Sequence, residues 1–309
     1  MRGGREILVN LIASQEELHA DFGGVVPEVA ARAHLERLPG LLSAALDRTG
    51  VEPAEIAELG VTRGPGLVGC LLIGAGLARG LAAGWEKPLH GVNHLWGHIY
   101  AAFLTRSELE PPVLALVVSG AHTDLVWMAA HGKFEVLGRT RDDAAGEAFD
   151  KAARMLGLGY PGGPLLDRLA RTGDAGRQPL PVPSLPGLEF SFSGLKTALL
   201  YRLRDLGGLE TVDEATRADL AAGFEHSVVE SLLEKLERAL AELPTAEVVI
   251  CGGVAANSQL RARAAALLEG RARLTIPSLA LCTDNAAMIA ASAYHAPTQE
   301  LDVDPDLAW

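Results

Sequence analysis

Two apolar runs that end in small-residue turns constrain this chain more than any other feature: LALVVSGAHT over 114–123 and EVVICGGVAAN over 247–257. A short, uninterrupted apolar run bounded by turn residues reads as a buried strand. Glycine at the end of such a strand lets a ligand approach the backbone, whose N–H groups can hold phosphate. Two turns of this kind in one chain point to a ligand site at strand carboxyl ends. Neither turn fits GxxxxGK[ST], which disfavours a Walker-type ATPase.

Around these runs, strand and helix patterns alternate. Residues 6–13 read as a strand, and 28–48 as a helix with Leu35, Leu38, Leu42 and Leu46 at roughly helical spacing. A strand over 56–62 closes at Gly64-Pro65-Gly66 and leads into a helix over 67–83. A short strand over 90–93 then precedes a helix that carries His94 and His98. Pro111-Pro112 marks a domain boundary. Beyond it, 113–118 and 124–129 read as a hairpin, 143–156 as a helix stopped by Gly157, and 173–191 as a long loop rich in Pro and Gly. Helices over 194–206 and 213–242, a strand over 247–250, a helix from Asn257 and a last helix from near Thr283 complete an α/β chain in two lobes.

The chain has 309 residues, a formal charge of −12 and three cysteines. Its acidity argues against a protein that wraps a nucleic acid unaided, because phosphate binding needs a basic surface. Cys70, Cys251 and Cys282 are far apart and odd in number, which speaks against a disulfide framework or a CxxC zinc site and for a reducing cytosol. The N-terminus lacks the apolar core of a signal peptide. No stretch reaches the ~20 uninterrupted apolar residues of a membrane span. Segment 67–83 comes nearest, broken by Gly69, Gly74, Gly76, Arg79 and Gly80.

Gly64-Pro65-Gly66-Leu67-Val68-Gly69 matches GxGxxG. The acidic residue about 20 positions on would be Glu86, in a turn before the next strand, so the match reads as a structural strand-to-helix turn. His94 and His98, in HLWGH, stand at i and i+4 on one helical face. That spacing lets two imidazoles reach one metal, although two polar residues on a solvated face share it. A peptidase of HExxH type needs Glu after the first His, where this chain has Leu95. Asp284 is the candidate third ligand, with Cys282 a softer rival; a carboxylate opening a helix is otherwise an ordinary first-turn charge. Asp143, Glu147 and Asp150 at i, i+4 and i+7 form either a charged outer face or a carboxylate set around a polar ligand. Lys196, in FSFSGLKT, opposes the dipole of the helix it opens, so it is either bound to an anion or exposed.

Six segments occur in order: HLWGH, VSGAHTDLV, DDAAGEAFDKAARMLGLGYPGGP, FSFSGLKTA, CGGVAANSQLR and CTDNAAMIA. On them the chain, from about residue 8 to 309, resembles the bacterial tRNA N6-adenosine threonylcarbamoyltransferase family, once labelled O-sialoglycoprotein endopeptidase. The resemblance implies the two-lobed α/β fold of actin, Hsp70 and sugar kinases. The first lobe would cover 1–111, completed by the C-terminal helix at about 285–309, and the second 112–284. It implies transfer of threonylcarbamoyl from threonylcarbamoyl-AMP to N6 of adenosine 37 in cytoplasmic tRNAs reading codons that begin with A. It also implies a divalent metal, usually iron with zinc the alternative, on His94, His98 and Asp284. Substrate contacts would come from Val117, Val118, Ser119, Gly120 and Ala121, and further adenylate contacts from Asp150, Gly163, Asp167 and Asn257. The implied partners are tRNA, a catalytically silent paralogue of the same fold and a small P-loop ATPase. The donor is an activated mixed anhydride, so no Ser or Cys nucleophile is required and metal-assisted acyl transfer is expected. The competing readings are the silent paralogue, which lacks the HxxxH pair and CTDN, a metallopeptidase, and a sugar kinase or ATPase.

The chain departs from the family in places. Ala121 stands where the family usually has glycine. The chain also stops a few residues before the usual end. The family's opening strand and acidic turn, of the type GIETSCDET, have no counterpart, and the chain begins at what should be the second strand, 6–13. The expectation is a truncated or late-started product with impaired folding or activity. Its acidity further implies that tRNA is held through a partner subunit or a local basic surface, with Arg63, Arg79, Arg139 and Arg141 as candidates.

Overall fold

The computed structural model describes residues 1–20, 22, 24–243 and 245–309. They gather into two compact units: Met1–Pro111 with Ala129–Phe134 and Pro277–Trp309, and Pro112–Met128 with Glu135–Ile276.

The first unit runs through α1 (Glu16–Ala20), α2 (Pro27–Thr49), β1 (Leu59–Gly64), α3 (Val68–Trp85), β2 (Leu89–Asn93) and α4 (His94–Thr105). β1 and β2 pair in parallel from Leu59↔Leu89 to Gly64↔Asn93, with α3 as the crossover that parallel pairing needs. Residues 6–13 are not a strand. Apart from a bridge between Arg2 and Glu6 they join no ladder among the described residues, and an apolar run becomes a strand only where a neighbour's N–H and C=O groups meet its own.

α2 starts with Pro27 at its first position and ends at Gly50 in the left-handed conformation. Its fully buried residues are small, Ala30 and Ala33; of the leucine stripe, Leu38, Leu42 and Leu46 are half-buried and Leu35 is 64% exposed. The helix meets α3 through small residues, Ala31 against Gly69. α3 is, among the described residues, the one helix long and apolar enough to cross a membrane. The C-terminal segment lies over β1 and β2. Asp304 N–H donates to the Arg63 carbonyl at 2.9 Å, Gly66 N–H donates to the Pro305 carbonyl at 3.1 Å, and a Cβ at Gly64 or Gly91 would collide with the backbone of Asp304 or Glu300. The GxGxxG turn is therefore filled by the chain's own tail.

The second unit comprises β3 (Val113–Val118), β4 (Thr123–Ala130), β5 (Lys133–Arg139), α5 (Ala145–Met155), α6 (Gly162–Ala170), α7 (Ser193–Asp205), α8 (Glu214–Glu242), β6 (Glu247–Cys251), α9 (Ser258–Leu268) and β7 (Arg273–Thr275). The tip of the β4–β5 hairpin belongs to the first unit. α10 (Leu279–Cys282) and α11 (Ala286–His295) then return to that unit. The sheet order is β5-β4-β3-β6-β7, with β3 antiparallel to β4 and parallel to β6, and β6 parallel to β7. Every residue of β3 is fully buried, as its unbroken apolar run requires.

The polar residues buried on α8 fix the loop over 173–191. Asp219 accepts from Asp174 N–H at 2.7 Å, Ser227 donates to the Leu180 carbonyl at 3.0 Å, and Lys235 Nζ donates to the Leu185 carbonyl at 2.6 Å. Side chains thus satisfy backbone groups that no helix or sheet pairs.

Candidate functional site

β2 runs directly into α4. Asn93 caps the helix, its Oδ1 accepting from Leu95 N–H at 2.9 Å, and its Nδ2 donates to the Ala308 carbonyl at 2.7 Å. His94 and His98 follow one turn apart, their rings edge to face with centroids 4.7 Å apart. Asp284 comes from the turn before α11, where Asn285 caps the helix by accepting from Met288 N–H at 3.0 Å and donates to the Thr283 carbonyl at 2.9 Å. α4 and α11 approach closely because Gly97 has no side chain: a Cβ there would lie 2.9 Å from Ile289 Cδ1.

That approach sets Asp284 Oδ1 3.4 Å from His94 Nε2 and 3.5 Å from His98 Nε2. All three donor atoms lie within 4.8 Å of one another. Two imidazole nitrogens and a carboxylate oxygen suit a divalent cation such as iron or zinc, and they fill only part of its coordination shell. Cys282 is not part of the cluster; its Sγ turns to the Pro277 carbonyl at 3.4 Å. Crowding by protein opposes ionisation of Asp284, yet the His94 hydrogen bond and the charges of both imidazoles draw its carboxyl down to about 2. Burial likewise works against a charged His94, and the Asp284 carboxylate outweighs it and raises the imidazole's pKa.

In the second unit, β3 and β6 are parallel neighbours from Leu114↔Val248 to Val117↔Cys251, so their turns lie side by side at one sheet edge. Val117 and Val118 bury their side chains completely and can offer a ligand only backbone, whereas Gly120 and Ala121 are exposed and Ser119 is half-buried. Ser119 N–H donates to the His122 carbonyl at 2.8 Å, and the Ser119 carbonyl accepts from Gly146 N–H at 3.1 Å. Two glycines permit this shape. A Cβ at Gly146 would strike the Ser119 carbonyl and Gly120, and Gly252, at φ +93°, sits against the Val118 carbonyl.

Asp150 Oδ1 accepts from Gly162 N–H at 2.9 Å and Gly163 N–H at 3.2 Å, anchoring the first turn of α6. Burial raises the Asp150 carboxyl against those two bonds. Further along α6, Asp167 Oδ1 accepts from Ser258 N–H at 3.0 Å, Ser258 Oγ at 2.5 Å and Asn257 Nδ2 at 3.4 Å. Asn257 Oδ1 caps α9 through Leu260 N–H at 2.8 Å, and Glu225 of α8 accepts from its Nδ2 at 2.6 Å. Glu225 was invisible in the sequence pattern, because nothing in a long amphipathic helix distinguishes a buried carboxyl from a solvated one.

Residues 6–291 match the TsaD family, described as tRNA N6-adenosine threonylcarbamoyltransferase. The chain belongs to this family. A relative of that name from Symbiobacterium thermophilum is 52% identical over 295 residues, 95% of this chain and 86% of its own length. Another, from Thermosipho africanus, is 47% identical over 292 residues, 94% of this chain and 87% of its own. Among solved structures, HypF from T. kodakarensis is similar with a TM-score of 0.62 and 12% identity, over 81% of this chain and 43% of that one. Full-length HypF in its phosphate- and nucleotide-bound form gives 0.54 and 14%, over 71% and 37%. The chain spans less than half of those proteins, and the likeness is one of α/β fold alone.

Other charged residues singled out in this family member are engaged within the protein. Asp143, Glu147 and Asp150 do not converge on one point: Lys151 bridges Asp143 at 2.7 Å and Glu147 at 2.8 Å. The anion facing Lys196 is Asp143, at 3.4 Å. Asp142 caps α7 from outside, accepting from Phe192 N–H at 2.8 Å and Ser193 N–H at 3.3 Å. Arg63 pairs with Glu300 at 3.0 Å, Arg79 with Asp302 at 3.8 Å and Arg141 with Glu189, so each of these candidate phosphate contacts already faces a carboxylate.

Proposed function

We propose that this chain transfers the threonylcarbamoyl group from threonylcarbamoyl-AMP to N6 of adenosine 37 in tRNAs reading codons that begin with A. The observation that carries this reading is the convergence of His94, His98 and Asp284 in a chain 52% identical to a threonylcarbamoyltransferase over nearly its whole length. The donor set fits a divalent metal, which we take to be iron. When bound, that metal supplies Lewis-acid polarisation of the carbamoyl carbonyl.

The chain's own residues bind and orient the donor. The turn over 119–121 and the neighbouring glycine turn at 252–253 offer backbone N–H groups to phosphate, with Val117 and Val118 contributing backbone alone. Asp150 holds the turn at Gly163, and Asp167 and Asn257, hydrogen-bonded to each other, are assigned in this reading to further contacts with the adenylate. The anhydride is already activated, so attack by the adenine amine expels AMP without a covalent enzyme intermediate. Positioning the amine against the carbonyl is then the main task of the protein. The acidity of the chain and the carboxylates facing Arg63, Arg79 and Arg141 support a share for partner subunits in holding tRNA; the resemblance to the family names them as a same-fold paralogue and a small P-loop ATPase, in the cytoplasm.

The test is reconstitution with threonine, bicarbonate, ATP, the adenylate-forming enzyme, the partner subunits and unmodified tRNA, with adenosine 37 examined by mass spectrometry. The modification is expected with the native chain and absent with His94→Ala/His98→Ala, which also loses its metal. Full transfer by the metal-free double variant overturns the reading.

A further inference from the structure

Glu225 is 2% exposed, in the middle of α8. It accepts from Asn257 Nδ2 at 2.6 Å and shares a second hydrogen bond with Asp167. The Asn257 amide has no freedom to turn over, because its Oδ1 is committed to Leu260 N–H. Its Nδ2 must therefore face the two carboxyls, and Glu225 is the nearer. Of two carboxyl groups in hydrogen-bond contact, one keeps its proton to a higher pH and donates it to the other. Asp167 is the better site for the negative charge. It accepts from Ser258 N–H and Oγ, and Arg171 lies 3.6 Å from its other oxygen. The proton then belongs to Glu225.

We infer that Glu225 is a positioning residue of the adenylate site: a neutral acid that accepts from Asn257 with one oxygen, donates its O–H to Asp167, and so fixes both side chains in one orientation. The inference rests on the reading above in which Asp167 and Asn257 contact the adenylate. Burial is the main reason that the Glu225 carboxyl is pushed up to about 8, with the Asn257 hydrogen bond opposing and the Asp167 charge adding to the rise. The ionisable groups acting on it are Asp167 of α6 and Arg171, which directly follows that helix, and its neighbour at the start of α9, Asn257, is neutral. Once Glu225 ionises, the donor to Asp167 is lost and two carboxylates repel across the site.

A glutamine at this position has the same pairing, an oxygen to accept and an N–H to donate, but cannot ionise. The experiment compares steady-state transfer by the complete assembly for native chain, E225Q, Glu225→Leu and Asn257→Ala, with the adenylate varied, at several pH values between about 7 and 9. Native KM for the adenylate is expected to rise across that range. Glu225→Leu raises KM about tenfold at neutral pH with kcat little changed, the scale of one lost hydrogen bond near a charged group. E225Q recovers most of that loss and shows no rise with pH. Should Glu225→Leu fail to fold, the E225Q profile still decides: a rise in KM parallel to the native one overturns the inference. So does a Glu225→Leu protein with native KM. An Asn257→Ala variant with unchanged KM instead overturns the underlying adenylate reading, and with it this one. A raised KM in Asn257→Ala beside native behaviour in both Glu225 variants removes the role of Glu225 alone.

Discussion

Gly97 of α4 lies against Ile289 of α11 with room for a hydrogen but not for a methyl group. This contact holds the histidine pair on one helix within reach of Asp284 at the head of the other. Gly97→Val overfills it, at a cost of about 1–3 kcal/mol, and parts the helices. The variant is expected to purify with less metal, read by elemental analysis, and to lose transfer. Gly97→Ala should be milder, because Ile289 Cδ1 is the end of a side chain that can turn away. A Gly97→Val protein with full metal content would show that the spacing of the helices does not set the site.

A second glycine, Gly146, governs the turn after β3. Here the obstruction is backbone, the Ser119 carbonyl and Gly120, which cannot rotate aside. Gly146→Ala must displace the 119–121 turn. We expect AMP affinity to fall at least about tenfold by calorimetry, some 1.4 kcal/mol, with metal content unchanged. Unaltered AMP binding would place the nucleotide elsewhere.

These contacts explain which features the sequence made legible. β3 and β6 need no context, since a continuous apolar run has nowhere to go but the interior of a sheet. Residues 6–13 have similar composition, yet a strand is a property of a pair, and no local pattern reports the missing ladder partner. The HLWGH spacing showed two imidazoles on one face, whereas the arrival of Asp284 depends on Gly97 and the Asn285 cap, which are matters of packing between distant segments. α6 was hidden behind Gly162-Gly163-Pro164, a turn signature. Its first N–H groups are satisfied by Asp150, twelve residues upstream, instead of by a local cap.

Another non-local cap gives the next prediction. Asp142 accepts from both Phe192 and Ser193 N–H at the head of α7 and takes the Ser191 hydroxyl on its other oxygen. Asp142→Ala leaves those donors without their acceptor and should cost about 1–2 kcal/mol, the range of a lost helix cap. Asp142→Asn keeps an accepting oxygen and should lose only a fraction of that. Urea denaturation distinguishes them, and equal losses in the two variants would mean that the charge, not the cap, is what stabilises α7.

His295 makes the stability of the first unit sensitive to acid. Its ring stacks on Tyr100 with centroids 5.4 Å apart and on His131 at 4.5 Å. Burial, followed by the charges of His131 and Arg5, lowers its pKa from 6.5 to about 4. Between those values the folded chain binds fewer protons than the unfolded chain, so folding loses stability as pH falls through the window and keeps it in full above 6.5. His295→Phe retains a ring for the stack but cannot take up a proton. Its urea midpoint should therefore fall less steeply than that of the native chain between about pH 7 and pH 4. Parallel curves for the two proteins would assign the acid sensitivity to some other group.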